Sequence, residues 1–305
     1  MDLTPLILSL FGPLMESIAP AMPGEFFPSF FTMEMFQRSM IAAIMVTVLS
    51  GLIGSFLLVR NLALIGDGLA HVSFGSIAIG ITLGYASPLW FALIFSILSA
   101  IIIYELQERE ILSGDASIAI FLTGMLALGL VVLRIWGEGI TSDIEGYLFG
   151  SLLLVDNASL TTITIIFVFS IIAILLMYRG LLAISLDSIS ARVQGLPVRG
   201  IGLAFSVVVA AAVVSMTQII GTLLVTALLV TPAATAQQVA NSFKASIIWT
   251  QAFGLITLFL GLYFSAEQGT GSGPMIALVA AVIFALVTTS TLIYKNFILK
   301  PKSQE

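Results

Sequence analysis

The sequence has no cysteine and a single histidine, His71, in 305 residues. Without cysteine, the chain has neither disulfide bonds nor thiolate-bound metal. Charged residues are also scarce, at 9% of the chain, whereas a soluble domain has about 25%. Hydrophobic residues make up 59%. A chain with so little surface charge would aggregate in water, so most of its surface must face lipid.

Several catalytic motifs are missing as well. No G-x-x-x-x-G-K-[ST] phosphate loop is present, and the glycine-rich stretch at 269–273 lacks the lysine that such a loop needs. The sequence shows no H-E-x-x-H motif, which needs two histidines, and no recognisable Ser–His–Asp set, and its single histidine limits such sites. The chain is therefore not expected to be an enzyme or to hydrolyse ATP itself. Nothing in the sequence indicates nucleic-acid binding.

Apolar stretches long enough to cross about 30 Å of hydrocarbon recur along the chain. They predict an all-α membrane protein, a polytopic bundle of about nine transmembrane helices. The predicted spans are Phe36–Val59, Leu62–Leu83, Leu89–Leu106, Ser117–Trp136, Leu160–Tyr178, Val198–Met216, Ile219–Val239, Ala245–Ser265 and Pro274–Tyr294.

The chain divides into an N-terminal extension at 1–35, a transmembrane domain at 36–295 and a short tail at 296–305. Within the extension, Leu3–Ile18 is short for a span and is interrupted by proline. It is an interfacial helix or a tenth crossing.

Lysine and arginine indicate the orientation, because cytoplasmic loops of membrane proteins are enriched in both. Nine alternating spans place nine of the eleven basic residues on one side and leave Arg38 and Arg134 near the other. This predicts a multi-pass protein of the cell (plasma) inner membrane with a cytoplasmic C-terminus.

The second predicted span carries Asp67 and His71. Residues four apart lie on one helix face, and an aspartate in the bilayer is costly enough that it should face the bundle interior or a partner. A carboxylate and an imidazole together suit Zn²⁺, Mn²⁺ or Fe²⁺ better than Ca²⁺ or Mg²⁺. Two other interpretations remain open, namely a structural Asp–His hydrogen bond and a proton relay.

Two further segments have unusual patterns. In the basic-side loop after the fifth span, Ser185 or Asp187 is placed to cap a short amphipathic helix that contains Ala191, and Gly195 would end it. This helix is a docking element or a plain connector. Pro232 near the end of the seventh span predicts a helix kink, which is common in transport paths but also in inert helices.

Four separated motifs resemble those of the permease subunits of zinc, manganese and iron ABC importers, the ABC-3 family. The order and spacing of these motifs agree with the family from about Phe36 to Tyr294, nearly the whole chain. They are G-D-G-L-A-H at 66–71, D-I-E-G-Y-L-F-G at 143–150, G-T-L-L-V at 221–225 with P-A-A-T-A at 232–236, and F-S at 264–265 with G-P at 273–274. The sequence departs from the family pattern at Ser76, Gly269 and Gly271, and in its N-terminal extension.

The resemblance implies a permease for a divalent transition metal ion, zinc or manganese and possibly iron, with no permanently bound cofactor. Its implied partners are a cytoplasmic ATP-binding subunit, an extracytoplasmic metal-binding protein and a second permease copy in a homodimer. It also implies that Asp67 and His71 meet the ion, and that the segment from Ser185 to Gly195 is the coupling helix for the ATPase. Asp143 and Glu145 are expected to form an outer entrance or to remain ordinary exposed acids.

Three alternatives follow from the same residues. An ion-gradient-driven divalent metal carrier would also place Asp and His one turn apart and would need no ATPase. A non-transport subunit would only scaffold a complex. The larger siderophore and vitamin permeases are a further ABC class, but they usually have a tenth span and lack the Asp–His motif.

Overall fold

The structure is a computed structural model that describes residues 2–84, 89–136, 146–150 and 155–298, without the side chains of residues 223 and 295–298. The described part is helical throughout. The helices are α1 (Thr4–Ile18), α2 (Ser29–Thr32), α3 (Glu34–Val59), α4 (Ile65–Thr82), α5 (Leu89–Glu108), α6 (Gly114–Trp136), α7 (Asn157–Leu186), α8 (Ser188–Val193), α9 (Val198–Ile220), α10 (Val225–Leu229), α11 (Thr231–Val239), α12 (Phe243–Gln268) and α13 (Ser272–Ile298).

Eight of the described helices, α3 to α7, α9, α12 and α13, are long and apolar enough to cross a membrane. They coincide with eight of the nine predicted spans. Their ends follow local signals. The Asp156 side chain caps α7 by accepting a hydrogen bond from the backbone N–H of Ser159, and α12 ends at Gly269, whose φ of 62° is left-handed.

The seventh predicted span, Ile219–Val239, is not one helix. Helix α9 ends at Ile220, and the rest is a 3₁₀ turn (Thr222–Leu224) followed by α10 and α11. The break begins at Gly221, which has φ 80° and ψ 162°, a conformation that only glycine adopts without strain. These short pieces join the end of α9 to the start of α12 in place of the seventh predicted span and are called the broken crossing below. The all-α polytopic membrane fold is confirmed.

The N-terminal extension contains α1, which has 15 residues and does not qualify as a span. The backbone N–H of Leu3 donates to the Thr161 hydroxyl at the start of α7, and Gly12 lies beside the Gln37 side chain on α3. Helix α1 therefore lies across the ends of α7 and α3, and it exposes a stripe of Leu6, Leu10 and Leu14. Helix α1 is too short to count among the candidate spans, and its interfacial position stays a prediction.

Two ends of the bundle are distinguished below. The α1 end carries α1, α2, the start of α7 and the end of α12. The α8 end carries α8, the end of α3 and the end of α5, which together line a groove. The large core lies between these ends and is built mainly from α3, α7 and α9.

Candidate functional site

Helix α4 lies inside the bundle and packs against α5, α6, α9 and the broken segment. Glycines permit this close packing. A Cβ atom at Gly66 would lie 2.4 Å from Leu229 Cδ2 on α10, and one at Gly68 would lie 2.7 Å from Ile118 Cγ2 on α6. Since no hydrophobic effect drives helices together in lipid, small residues that allow such contacts stabilise their association.

Asp67 and His71 occupy one side of α4, as their spacing predicts. Asp67 is partly buried and His71 is 5% exposed. The carboxylate and the imidazole are close enough to interact electrostatically. The Nδ1 atom of His71 is buried and has no hydrogen-bond partner among the described residues. Because a buried polar atom without a partner is unfavourable, this nitrogen is a free position for a ligand.

The helical spacing of α4 places His71 near the contact between α4 and α6. Residues 68, 71 and 75 share one helix stripe because they are three and four positions apart. Gly68 faces Ile118, and a Cβ at Gly75 would lie 2.5 Å from the Met125 carbonyl oxygen. His71 is one turn from both contacts, so it lies on the buried side of α4 that is close to α6.

Other ligands from this chain are scarce. Among the described residues, no three histidine or acidic side chains are close enough together to hold a metal ion. Asp143 and Glu145, the predicted outer entrance, lie outside the described residues. The adjoining turn is described: Gly150 has φ 78°, and a Cβ there would lie 2.4 Å from the carbonyl carbon of Ile220. The 146–150 segment therefore packs against the start of the broken crossing.

The predicted coupling segment contains a short helix, α8, and only one of the two predicted capping residues caps it. Asp187 is its N-cap and accepts hydrogen bonds from the backbone N–H groups of Ile189 and Ser190. Ser185 is not a cap, because it still lies in α7 and its hydroxyl donates to the Leu181 carbonyl oxygen. Ala191 is 2% exposed and attaches α8 to the bundle.

Asp187 fixes the start of α8, and Gly195 follows its end. The Ser190 hydroxyl and the two backbone N–H groups donate to the Asp187 carboxylate and hold its pKa below the ordinary value. After α8, Gly195 adopts φ 80°, and apart from its chain neighbours no described atom lies within 4 Å of the position that a Cβ would occupy there. The chain then turns into α9.

Pro232 does not kink a continuous helix as predicted. It lies in the first turn of α11, after the break at Val230. Proline is favourable in a first turn because its missing N–H has no partner there in any helix. Its Cβ lies 3.9 Å from the Cβ position of Gly254 on α12, so it also contributes to packing.

Sequence reasoning missed two polar clusters. At the α8 end, Glu105 and Glu108 on α5 form ion pairs with Arg199 and Arg192. At the α1 end, the Glu267 carboxylate accepts three backbone hydrogen bonds from residues 25–27. The basic loops and the acids at the end of α5 were a visible signal for the first cluster. Nothing local signals the second.

Comparison with known proteins identifies the family. The model of the ABC 3 transport family matches residues 32–291. The chain is 32% identical over 262 residues to the Manganese transport system membrane protein MntC of Halalkalibacterium halodurans, covering 86% of this chain and 89% of that protein.

Two solved structures resemble the fold. PsaBC from Streptococcus pneumoniae, solved in complex with Fab, matches with a TM-score of 0.75 at 29% identity over 85% of this chain and 92% of that one. An inward-facing, putative metal-chelate type ABC transporter matches with a TM-score of 0.72 at 16% identity, over 93% and 98% of the two chains. The chain belongs to the ABC 3 transport family: it is the multi-pass membrane permease of an ABC importer, works with a separate ATPase subunit and a binding protein, and is not itself an ATPase.

Proposed function

We propose that this permease carries a divalent transition metal ion, with manganese as the first candidate, and that Asp67 and His71 contact the ion as it crosses. The observation that supports this proposal most is the buried Nδ1 atom of His71, which has no hydrogen-bond partner in the described part of the chain and lies one helical turn from a carboxylate. The name of the Halalkalibacterium halodurans relative supports manganese.

The chemistry of the two side chains suits such a cargo. Carboxylate oxygen and imidazole nitrogen bind Mn²⁺, Fe²⁺ and Zn²⁺, and the ligand types alone do not separate these metals. Two protein ligands make a weak site, which releases its ion readily. The remaining ligands would be water or side chains of a second permease copy, so the proposal includes a homodimer.

The orientation is part of the proposal. The α8 end carries most of the basic residues, and in membrane proteins these face the cytoplasm. The C-terminus would then be cytoplasmic, in the cell's inner membrane. Asp143 and Glu145 would lie on the opposite side, where carboxylates attract a cation or contact the delivery protein.

Helix α8 is the proposed coupling helix for the ATPase. Leu186 at the end of α7 and Ile189 and Val193 on α8 are 74%, 76% and 84% exposed. Three exposed apolar side chains around a short helix fit an apolar groove on a partner protein. Asp187 caps this helix and Ala191 packs it against the bundle, and Ser185 in the last turn of α7 and Gly195 in the turn after α8 bound the proposed coupling segment.

The test is ATP-driven metal uptake into proteoliposomes that hold the permease, its ATPase and its binding protein. Asp67→Asn and His71→Ala should abolish Mn²⁺ uptake while the complex still assembles. Asp115→Asn is the matched control, because Asp115 is an exposed acid in the first turn of α6. Unchanged uptake in both site variants would contradict the metal-contact proposal, and uptake of Zn²⁺ but not Mn²⁺ would overturn the choice of metal.

A further inference from the structure

The ion pairs of the described residues are concentrated at one place, the last turn of α5. Arg192 Nη2 lies 2.6 Å from Glu108 Oε1, and Arg199 Nη2 lies 2.7 Å from Glu105 Oε1. A third pair joins Arg109 to Glu105 within the same stretch of chain, at 3.1 Å. The end of α5 is thus tied directly to the proposed coupling helix and to the first turn of α9.

Close packing reinforces this connection. Tyr104 is 8% exposed, and a Cβ at Gly202 on α9 would lie 2.4 Å from its hydroxyl oxygen. The lack of a side chain at Gly202 therefore allows the tyrosine to lie against the α9 backbone. The ends of α5 and α9 are in direct contact here, so a displacement of α9 acts on α5.

The same turn of α5 is also joined to α6. Gln107 Nε2 donates to the Gly114 carbonyl oxygen at 3.3 Å and lies 3.5 Å from the Ser117 hydroxyl oxygen. Ser117 is completely buried. Gln107 therefore connects the end of α5 to the first turn of α6 across the intervening loop.

The first turn of α6 then reaches the proposed metal site. Ile118 follows Ser117, and its Cγ2 atom fills the space beside Gly68 on α4, where a Cβ would be only 2.7 Å away. Gly68 is the residue after Asp67. A series of contacts between neighbouring helices therefore connects α8 to α5, α5 to α6, and α6 to α4.

We propose that Glu108 and Gln107 are positioning residues that link the coupling helix to the α4–α6 contact around Asp67, so that losing either one reduces the metal moved per ATP hydrolysed. The inference rests on the proposed function, since it takes α8 as the coupling helix and Asp67 as a metal contact. Packed side chains with two discrete arrangements are the physical means by which distant sites are coupled.

The experiment measures ATP hydrolysis and Mn²⁺ uptake in the same proteoliposomes with the complete complex. Glu108→Gln and Gln107→Leu should lower the ratio of Mn²⁺ to ATP by between about 2-fold and about 30-fold, the range of known coupling effects. Glu110→Gln is the control, because Glu110 is an exposed acid two residues away that forms no ion pair among the described residues. Ser117→Ala removes the hydroxyl that lies beside Gln107 Nε2, so it should lower the ratio of Mn²⁺ to ATP as Gln107→Leu does.

A double-mutant cycle separates a linked pair from two independent effects. Arg192→Gln should lower the ratio as Glu108→Gln does, and the double variant should be no worse than either single one. The Arg192 side chain is 66% exposed, and exposed ion pairs contribute little to stability. The thermal stability of the complex and the amount of bound ATPase should therefore stay unchanged.

Three results would overturn the inference: an unchanged ratio in Glu108→Gln and Gln107→Leu, effects of Glu108→Gln and Arg192→Gln that multiply, or loss of the bound ATPase in Glu108→Gln. Asp67→Asn in the same assay keeps the two proposals distinguishable. If Asp67→Asn abolishes uptake while the Glu108 and Gln107 variants couple normally, the metal site stands and only the link fails.

Discussion

The contact between α4 and α6 allows a quantitative prediction at Gly75. An alanine Cβ there would lie 2.5 Å from the Met125 carbonyl oxygen and 3.2 Å from its carbonyl carbon. Optimal non-bonded separations are about 3.5 Å or more, so α6 must move away by about 1 Å. Because backbone atoms cannot avoid the clash by changing rotamer, we expect the overpacking penalty of about 1–3 kcal/mol.

Gly124→Ala is the matched control for this prediction. Gly124 lies on α6, and no described atom outside its own stretch of helix lies within 4 Å of the position that its Cβ would occupy. Both substitutions gain the same helix propensity, about 1 kcal/mol. The difference between their free energies of unfolding therefore isolates the contact, and Gly75→Ala should be about 1–3 kcal/mol less stable than Gly124→Ala.

Equilibrium unfolding of the purified permease in mixed micelles measures this difference. Because His71 lies one turn from Gly75, Gly75→Ala should also reduce metal uptake, whereas Gly124→Ala should not. Equal unfolding midpoints for the two variants would refute the close α4–α6 contact. A second substitution provides a further check at Gly68, the other glycine of α4 that meets α6. Ile118→Ala should relieve the instability of Gly68→Ala, because it removes the Cγ2 atom that the new Cβ would meet.

Three other substitutions test separate parts of the structure. Gly221→Ala forces a left-handed φ on alanine and places its Cβ 2.3 Å from the Gly150 backbone nitrogen, so it should destabilise the protein by more than about 1 kcal/mol, seen as loss of monodisperse protein in gel filtration. Glu267→Gln weakens the acceptor of three backbone hydrogen bonds, and limited proteolysis should then cut the N-terminal extension faster while the core stays intact. Asp187→Ala should weaken ATPase binding in a pull-down at every pH. In the native chain, the pKa of Asp187 is lowered by the hydrogen bonds that its carboxylate accepts. The α8 cap should therefore stay effective above about pH 4 and fail only as the pH falls through that lowered pKa. A loss of native ATPase binding already near pH 6 would contradict this.

The long helices were predictable because lipid imposes a simple requirement. A segment must supply about 20 apolar residues and satisfy its own backbone hydrogen bonds. The limits of the helices were less predictable. Helix α7 was expected over Leu160–Tyr178 but runs over Asn157–Leu186, because Asp156 caps it earlier and its last turns continue beyond the apolar window.

The broken crossing was hidden from sequence reasoning for a different reason. Hydropathy is continuous from Ile219 to Val230, so the composition alone favours one helix. What breaks it is tertiary contact: Gly221 adopts its extended, positive-φ conformation where the Gly150 backbone packs against it. A glycine within an apolar run is equally compatible with an unbroken membrane helix.

The candidate site was partly predictable. The spacing of Asp67 and His71 predicts a shared helix face, and the structure places both on one side of α4. That α6 packs against α4 on both sides of His71 was not predictable, because it depends on which glycines of α4 meet Ile118 and Met125. The metal-contact role of the two residues stays a prediction, as does the entrance role of Asp143 and Glu145, which lie outside the described residues.

The most direct test of the central proposal detects the bond between the metal and His71. This chain has a single histidine, so labelling only the permease with ¹⁵N-histidine and purifying it without a histidine tag labels that residue alone. Pulsed electron paramagnetic resonance of Mn²⁺ held in the complex, with turnover halted by vanadate, should then show a ¹⁵N coupling that disappears in His71→Ala. A spectrum of bound Mn²⁺ with no ¹⁵N coupling would contradict the proposal that the ion crosses the permease in contact with His71.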